Sequence, residues 1–277
     1  MKTLVYIKKP STHKKNLLSD KLEETLGENQ ENVFVEDIDS ISEIDSQILV
    51  SNVLNQSILD KLPSLKYLIV PTSGLDGVDL DLINSRNINM YHNPKIFSEE
   101  VVRSLTPHLL GIENKKIGLY GFGNIGKTIY SLLSSSNNSF YVYRKNLNFE
   151  ISNDKNIVYE GNSLEEVIKN SEVHIVSLPK NSETINLFSE KEFTLFKRES
   201  QLISISRKEI INEQSFIEAI NNKIFSRVFL ESYYNSFLDI SQKNTCLTLN
   251  EHSLGVNSYS IEKMNEWISN KIKELSN

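Results

Sequence analysis

The stretch Lys116-Ile117-Gly118-Leu119-Tyr120-Gly121-Phe122-Gly123-Asn124-Ile125-Gly126 decides how this chain is read. Ile117 and Leu119 belong to an apolar β-run that leads into a G-x-G-x-x-G loop, and a helical repeat over Ile125–Leu133 begins inside that loop. Each glycine answers a separate steric demand. Gly121 permits the tight turn, Gly123 lets the backbone approach a pyrophosphate, and Gly126 lets helix and strand pack closely. The helix N-terminus then presents unbonded N–H groups and a partial positive charge to phosphate oxygens. A glycine-rich turn without a nucleotide is the alternative. Strand, loop and helix together favour a dinucleotide site formed by Gly121, Gly123, Asn124, Ile125 and Gly126.

Working outward, short β-branched and aromatic runs alternate with amphipathic stretches, the pattern of βα units around parallel sheets. Strands are expected at Thr3–Ile7, Asn32–Val35, Gln47–Val50, Tyr67–Val70 and Ile88–Tyr91 in the first third. Lys116–Tyr120, Phe140–Tyr143, Ile157–Tyr159, Val173–Ser177, Leu202–Ser206, Arg227–Leu230 and Cys246–Leu249 follow. Helices fit at Lys14–Leu26, Gln56–Lys61, Glu99–Leu110, Ile125–Leu133, Leu164–Lys169, Glu190–Phe196, Glu213–Asn221 and Ser260–Leu275. The expected fold class is α/β, with two Rossmann-like or flavodoxin-like domains built on parallel sheets. Residues 94–255 form a cofactor domain inserted into a substrate domain of residues 1–93 plus 256–277.

A length of 277 residues suits two domains, and 39% hydrophobic with 24% charged residues is ordinary for a globular protein. The net charge of −6 argues against nucleic acid or an anionic membrane as the main partner. One cysteine, Cys246, excludes an intrachain disulfide and any multi-cysteine metal site, which fits a cytoplasmic location. No apolar run has the roughly 18 residues needed to span a bilayer. The run Met1–Ile7 is cut off by Lys8-Lys9-Pro10, and predicts a strand instead of a signal peptide.

Past the second strand of the cofactor domain, where an acidic residue normally meets the ribose hydroxyls, stand Arg144 and Lys145. Two cations attract a 2′-phosphate that a carboxylate would repel. NADP(H) is therefore the expected cofactor, with NAD(H) as the alternative. Two solvated cations past a strand end would be the structural reading of the same residues.

From here the sequence resembles the D-2-hydroxyacid dehydrogenase family over most of its length. Val176-Ser177-Leu178-Pro179-Lys180-Asn181-Ser182-Glu183-Thr184 resembles that family's V-x-L-P-x-x-x-E-T segment. Ile203-Ser204-Ile205-Ser206-Arg207-Lys208 resembles its V-N-x-x-R-G, Ile211-Asn212-Glu213 its V-D-E, and Leu249-Asn250-Glu251-His252-Ser253-Leu254-Gly255 its L-T-P-H-x-x-G. The resemblance implies that Arg207 binds the substrate carboxylate, that His252 is the general acid/base, and that Leu178, Pro179 and Ser206 flank the cofactor. These roles suit a bidentate guanidinium and an imidazole that titrates near neutrality. Thr72-Ser73-Gly74-Leu75-Asp76-Gly77-Val78-Asp79 resembles the family's carboxylate-gripping loop, so Ser73, Gly74 and Leu75 are candidate substrate contacts. A turn before a short helix is the alternative there. The implied partner is a small 2-keto or 2-hydroxy acid such as glyoxylate or hydroxypyruvate.

Three departures stand against this resemblance. The family's catalytic glutamate falls on Ser236, or on Asn235 in the neighbouring register, while Glu231 occupies the place of its preceding aspartate. Without a carboxylate beside it, His252 would be protonated less often at neutral pH. Lys208 replaces a glycine, and Glu251 a proline. Finally, only Gly111–Lys115 separates the helix ending at Leu110 from the strand at Lys116, where relatives carry roughly 20–25 residues of dimer arm by that same resemblance. A homodimer with a reduced interface, or a monomer, is the expectation. Two other readings stay open: a nucleotide-binding regulatory or interaction protein of the same family that has lost turnover, and an enzyme of shifted chemistry completed by Tyr233, Tyr234 or Asn235.

Overall fold

The structure is a computed structural model that describes residues 1–8, 17–27, 31–145, 155–250 and 253–277. It divides into two compact units, Met1–Glu100 with Gly255–Asn277, and Val101–Leu254.

The first unit contains β1 (Thr3–Val5), α1 (Leu17–Leu26), β2 (Asn32–Phe34), β3 (Ile48–Val50), α2 (Gln56–Leu59), β4 (Tyr67–Val70), α3 (Leu80–Ser85), β5 (Asn89–His92) and the start of α4 (Lys95–Leu109). Its sheet is parallel, in the order β2-β1-β3-β4-β5, one of the two common doubly wound orders. Strand alternation separates its core into two faces. Leu4, Leu49, Leu68 and Val70 pack on one side with Ile58, Leu62 and Ile83. Val5, Ile48, Val50 and Ile69 pack on the other with Leu22, Met264, Ile268 and Ile272. α4 begins four residues before the expected Glu99, because Pro94 supplies a preformed first turn and accepts from the Ser98 N–H.

In the second unit α4 is followed by β6 (Lys116–Tyr120), α5 (Asn124–Leu133), β7 (Ser139–Tyr143), β8 (Ile157–Gly161), α6 (Leu164–Asn170), β9 (Val173–Val176) and α7 (Glu190–Phe193). Next come β10 (Ser200–Ser204), α8 (Glu213–Asn221), β11 (Phe225–Leu230), α9 (Ser236–Lys243) and β12 (Leu247–Leu249); α10 (Ser258–Ser276) then closes the first unit. α9 has no counterpart in the sequence-based expectation. Its apolar residue Phe237 is buried against Phe216 of α8, ring centroids 4.8 Å apart, so tertiary packing fixes this short helix. The seven-stranded sheet is parallel, in the order β12-β11-β10-β9-β6-β7-β8. α4 and α5 cover one face through Leu105, Leu109, Ile129 and Leu133. α6 to α9 cover the other through Val167, Phe193, Phe216 and Phe237.

The strands of this sheet end level. Leu249, Leu230, Ser204, Val176, Tyr120, Tyr143 and Gly161 form one register row across all seven. The hydrogen bonds continue one residue further: Asn250 N–H donates to Leu230, Glu231 to Ser204, Ile205 to Val176, Ser177 to Tyr120, Gly121 to Tyr143 and Arg144 to Gly161. Every loop that carries a candidate residue of this unit therefore leaves from the same edge.

Candidate functional site

That edge is the carboxyl end of a parallel sheet, and the strand order reverses between β6 and β9. Open α/β sheets bind ligands at such a switch point. The loop Gly121–Gly126 leaves β6 there. Gly121 holds φ +94°, and a Cβ on it would stand 2.9 Å from the Ser177 carbonyl oxygen. A Cβ on Gly126 would stand 2.3 Å from the Gly121 oxygen. Gly123 differs, with no heavy atom within 4 Å of its Cβ position. It is the N-cap of the ten-residue helix α5 and makes no side-chain capping hydrogen bond. An open cradle in front of an uncapped helix N-terminus fits a dinucleotide pyrophosphate. Asn124 and Ile125 form the first turn, and Phe122 packs edge-on against Tyr130.

Beside it runs the loop after β9. Thr184 Oγ1 donates to the Pro179 carbonyl at 2.6 Å, and Asn181 Oδ1 accepts the N–H groups of Glu183 and Thr184. These bonds close a tight turn and explain why the motif spaces Pro179 and Thr184 as it does. Leu178 packs against the core of the unit.

The two cations past β7 both have carboxylate partners. The Arg144 guanidinium pairs with Glu160 of β8, and Lys145 pairs with Glu183 of the β9 loop. Arg144 and Glu160 are largely covered, whereas Lys145 and Glu183 are open to solvent. A cofactor phosphate would share these cations with acidic groups already present.

After β10, Ser206 is 3% exposed, and its hydroxyl has no hydrogen-bond partner among the described residues. An orphaned buried hydroxyl in the loop after β10 is a further polar group that a bound cofactor could satisfy. Arg207 follows, half-buried, leading into a 3₁₀ turn over Lys208–Ile210. Lys208 donates its backbone N–H to Ser232 and sets its amine over the Tyr234 ring, 5.1 Å from the centroid. Its bulk thus lies along the Tyr234 side of the turn.

Glu231 follows β11 and is 4% exposed. Its carboxylate accepts from Asn250 Nδ2 and, at 2.9 Å, from the Leu254 N–H. Burial pushes its pKa up, opposed by the Leu254 N–H, the Asn250 amide, the Arg207 charge and the Ser253 N–H. Glu251 and His252 lie outside the described residues. Ser236 and Asn235 are both exposed, and Ser236 donates to Glu213 of α8. The sequence singled out Ser236 as a vacated acid position but missed that Glu231 bonds both flanks of residues 251–252. That signal lay in its place one residue past a strand.

In the first unit, the stretch after β4 is a compact turn. Thr72 Oγ1 donates to the Gly74 carbonyl at 2.9 Å, His92 Nε2 lies 2.7 Å from the Thr72 carbonyl, and the Val78 N–H donates to Leu75. Ser73 is exposed and Leu75 packs into the core of that unit. Among the described residues no group of acidic, His or Cys side chains could hold a metal ion, and no helix is long and apolar enough to cross a membrane.

Comparison with known proteins agrees with this geometry. Residues 82–252 match the family model described as D-isomer specific 2-hydroxyacid dehydrogenase, NAD binding domain. A glyoxylate reductase of Pyrococcus furiosus is 24% identical over 273 residues, covering 84% of this chain and 80% of that protein. The fold is shared with an NADPH-dependent glyoxylate/hydroxypyruvate reductase of Sinorhizobium meliloti solved with NADP and malonate. Its TM-score is 0.82 at 18% identity, over 98% of this chain and 92% of that one. It is shared too with a D-lactate dehydrogenase of Aquifex aeolicus solved with NAD and lactic acid, TM-score 0.74 at 17% identity, over 99% of this chain and 95% of that one. The family match spans more than half of the chain and includes the glycine loop, Arg207 and His252, so this protein belongs to the D-isomer specific 2-hydroxyacid dehydrogenase family of NAD(P)-linked oxidoreductases.

Proposed function

We propose that this chain reduces a small 2-keto acid of the glyoxylate or hydroxypyruvate class, preferring NADPH and accepting NADH. The observation that carries the reading is the level edge of the second unit's sheet, from which the glycine loop, the Arg207 turn and the segment after β12 all leave. Arg207 binds the substrate carboxylate through its planar fork of donors. His252 gives a proton to the keto oxygen as the carbonyl carbon is reduced. The cofactor supplies the hydride. Gly121, Gly123, Asn124, Ile125 and Gly126 hold its pyrophosphate; Leu178, Pro179 and Ser206 flank it; Arg144 and Lys145 face its adenosine end. Ser73, Gly74 and Leu75 are proposed as further substrate contacts.

The test is a steady-state assay of glyoxylate, hydroxypyruvate and pyruvate with each cofactor between about pH 5 and 8. Turnover that falls at least about 100-fold in kcat/KM on Arg207→Ala supports the reading. Absence of turnover with every pair overturns it. The exposed Ser236, bonded to Glu213, favours a second reading, a nucleotide-binding protein without turnover. Tight NADPH binding with no ketoacid reduction would establish that one.

A further inference from the structure

The hydroxyl of Ser177 stands where the two close-packed glycines of the loop meet. Ser177 is the first residue past β9, and its N–H donates to the Tyr120 carbonyl at 2.8 Å, so the sheet itself sets its height beside β6. Its Oγ donates to the Gly121 carbonyl at 3.1 Å. The Tyr120 carbonyl is farther, at 3.4 Å, and a hydroxyl has one proton to give. A Cβ on Gly121 would stand 3.2 Å from that Oγ, and a Cβ on Gly126 3.3 Å. The Gly121 oxygen also lies against Gly126, so it is held between a helix backbone and a hydroxyl.

Serine suits this place in two ways. A longer side chain would press on the backbone of both glycines, whereas alanine would fit the space and remove the donor. The donor matters because Gly121, at φ +94°, has more backbone freedom than any other residue type. The peptide joining Gly121 to Phe122 is planar and trans, so its N–H points opposite to its carbonyl. Holding the carbonyl on Ser177 therefore turns the Phe122 N–H to the other side of the loop.

We propose that Ser177 is a positioning residue for the cofactor: its hydroxyl fixes the Gly121–Phe122 peptide and so holds the glycine loop in its pyrophosphate-binding shape before the cofactor arrives. This rests on the cofactor half of the reading above. Ser177 acts through Gly121, and the gain is preorganisation, since a loop already in its bound shape loses less freedom on binding.

The experiment compares the parent with Ser177→Ala and Ser177→Cys. Amide hydrogen exchange is followed in the peptide spanning residues 119–127 and in β7 and β9, with and without saturating NADPH. Dissociation constants for NADPH and NADH come from fluorescence titration. In the free protein, Ser177→Ala is expected to speed exchange of the loop peptide at least about threefold and to leave β7 and β9 unchanged. Saturating NADPH should remove the difference. Both dissociation constants should rise by the same factor, about 3- to 10-fold, because the two cofactors share the pyrophosphate. Ser177→Cys, of similar size but a weaker donor, should fall between alanine and the parent. Unchanged loop exchange in Ser177→Ala overturns the proposal, as does faster exchange with unchanged affinities. Faster exchange spread through β7 and β9 also overturns it, in favour of a merely structural serine. Weakening of NADPH alone would move the effect to the 2′-phosphate and overturn it too. A parent that binds neither cofactor refutes the cofactor reading instead, and exchange in the free protein then decides the tether alone.

Discussion

Gly126 lies directly against the carbonyl of Gly121. A Cβ at 126 would stand 2.3 Å from that oxygen, closer than real Cβ contacts come, and the atom it meets is backbone that cannot swing aside. Gly123, three residues earlier, faces open space at φ −79°. The two glycines of one motif therefore serve different ends, one the packing of strand on helix and the other the approach of a ligand. Gly126→Ala is expected to cost about 1–3 kcal/mol of stability through overpacking, measured as a lowered urea midpoint. Gly123→Ala should leave that midpoint within about 0.5 kcal/mol. It should weaken NADPH binding at least about tenfold in a fluorescence titration. Equal loss of stability in both variants would refute the division.

His174 sits in the middle of β9, fully buried, with Nδ1 2.8 Å from the Tyr120 hydroxyl and its ring 4.3 Å from that of Phe196. Burial, with a smaller contribution from Lys197, holds its pKa at about 3. The folded protein keeps this imidazole neutral while the unfolded chain protonates it near 6.5. Stability from this residue is therefore complete above about pH 6.5 and is lost as pH falls toward 3, by up to about 1.4 kcal/mol per pH unit. His174→Gln, which retains a polar partner for Tyr120, should flatten the stability profile between about pH 6 and 4 by that slope. Urea melts at stepped pH measure it, and parallel profiles would reject the assignment.

Cofactor preference turns on shared cations. The Lys145–Glu183 pair is open to solvent, and exposed pairs contribute about 0.2–1 kcal/mol. Glu183→Gln releases Lys145 for a 2′-phosphate, so NADPH affinity should rise about two- to fivefold while NADH affinity stays unchanged. Arg144 is already engaged by Glu160 in a covered position, and Glu160→Gln should act on NADPH in the same direction. Titration of both cofactors against each variant gives the ratios. A matching gain for NADH would remove phosphate recognition from these residues.

Asn257 caps α10 and also donates to Glu100 of α4 at 2.6 Å, where Glu100 is 2% exposed. Replacing it with alanine removes a helix cap and a bond to a buried carboxylate at once. Asn257→Ala should destabilise the chain by about 2–3 kcal/mol. A urea midpoint shift corresponding to less than about 0.5 kcal/mol would show that water replaces the bond without penalty.

Much of the fold is legible because its signals are local. The edges of β4, β6 and α8 match the periodicity residue for residue, and the glycine loop declares itself through φ and steric needs that few other residues meet. What escapes is contact across strands. Nothing near Arg144 announces Glu160, which meets it only because β7 and β8 pair in parallel with a register shift at Phe140. Glu231 looks like a displaced family aspartate until β12 brings Asn250 and Leu254 to it. α9 escapes the sequence reading because its one buried anchor, Phe237, depends on Phe216 of α8.

The level row from Leu249 to Gly161 separates two kinds of change open to this protein. Substitutions such as Lys208, Glu231 and Ser236 all fall beyond the row, in segments that start from it at a common height. Chemistry there can be rewritten one loop at a time without re-registering a strand. A single-residue insertion before the row would do the opposite, carrying a whole loop out of line with its neighbours and turning every side chain of that strand to the wrong face. Tolerance to insertion should therefore change abruptly at this line, which makes it a natural place to begin grafting new specificities.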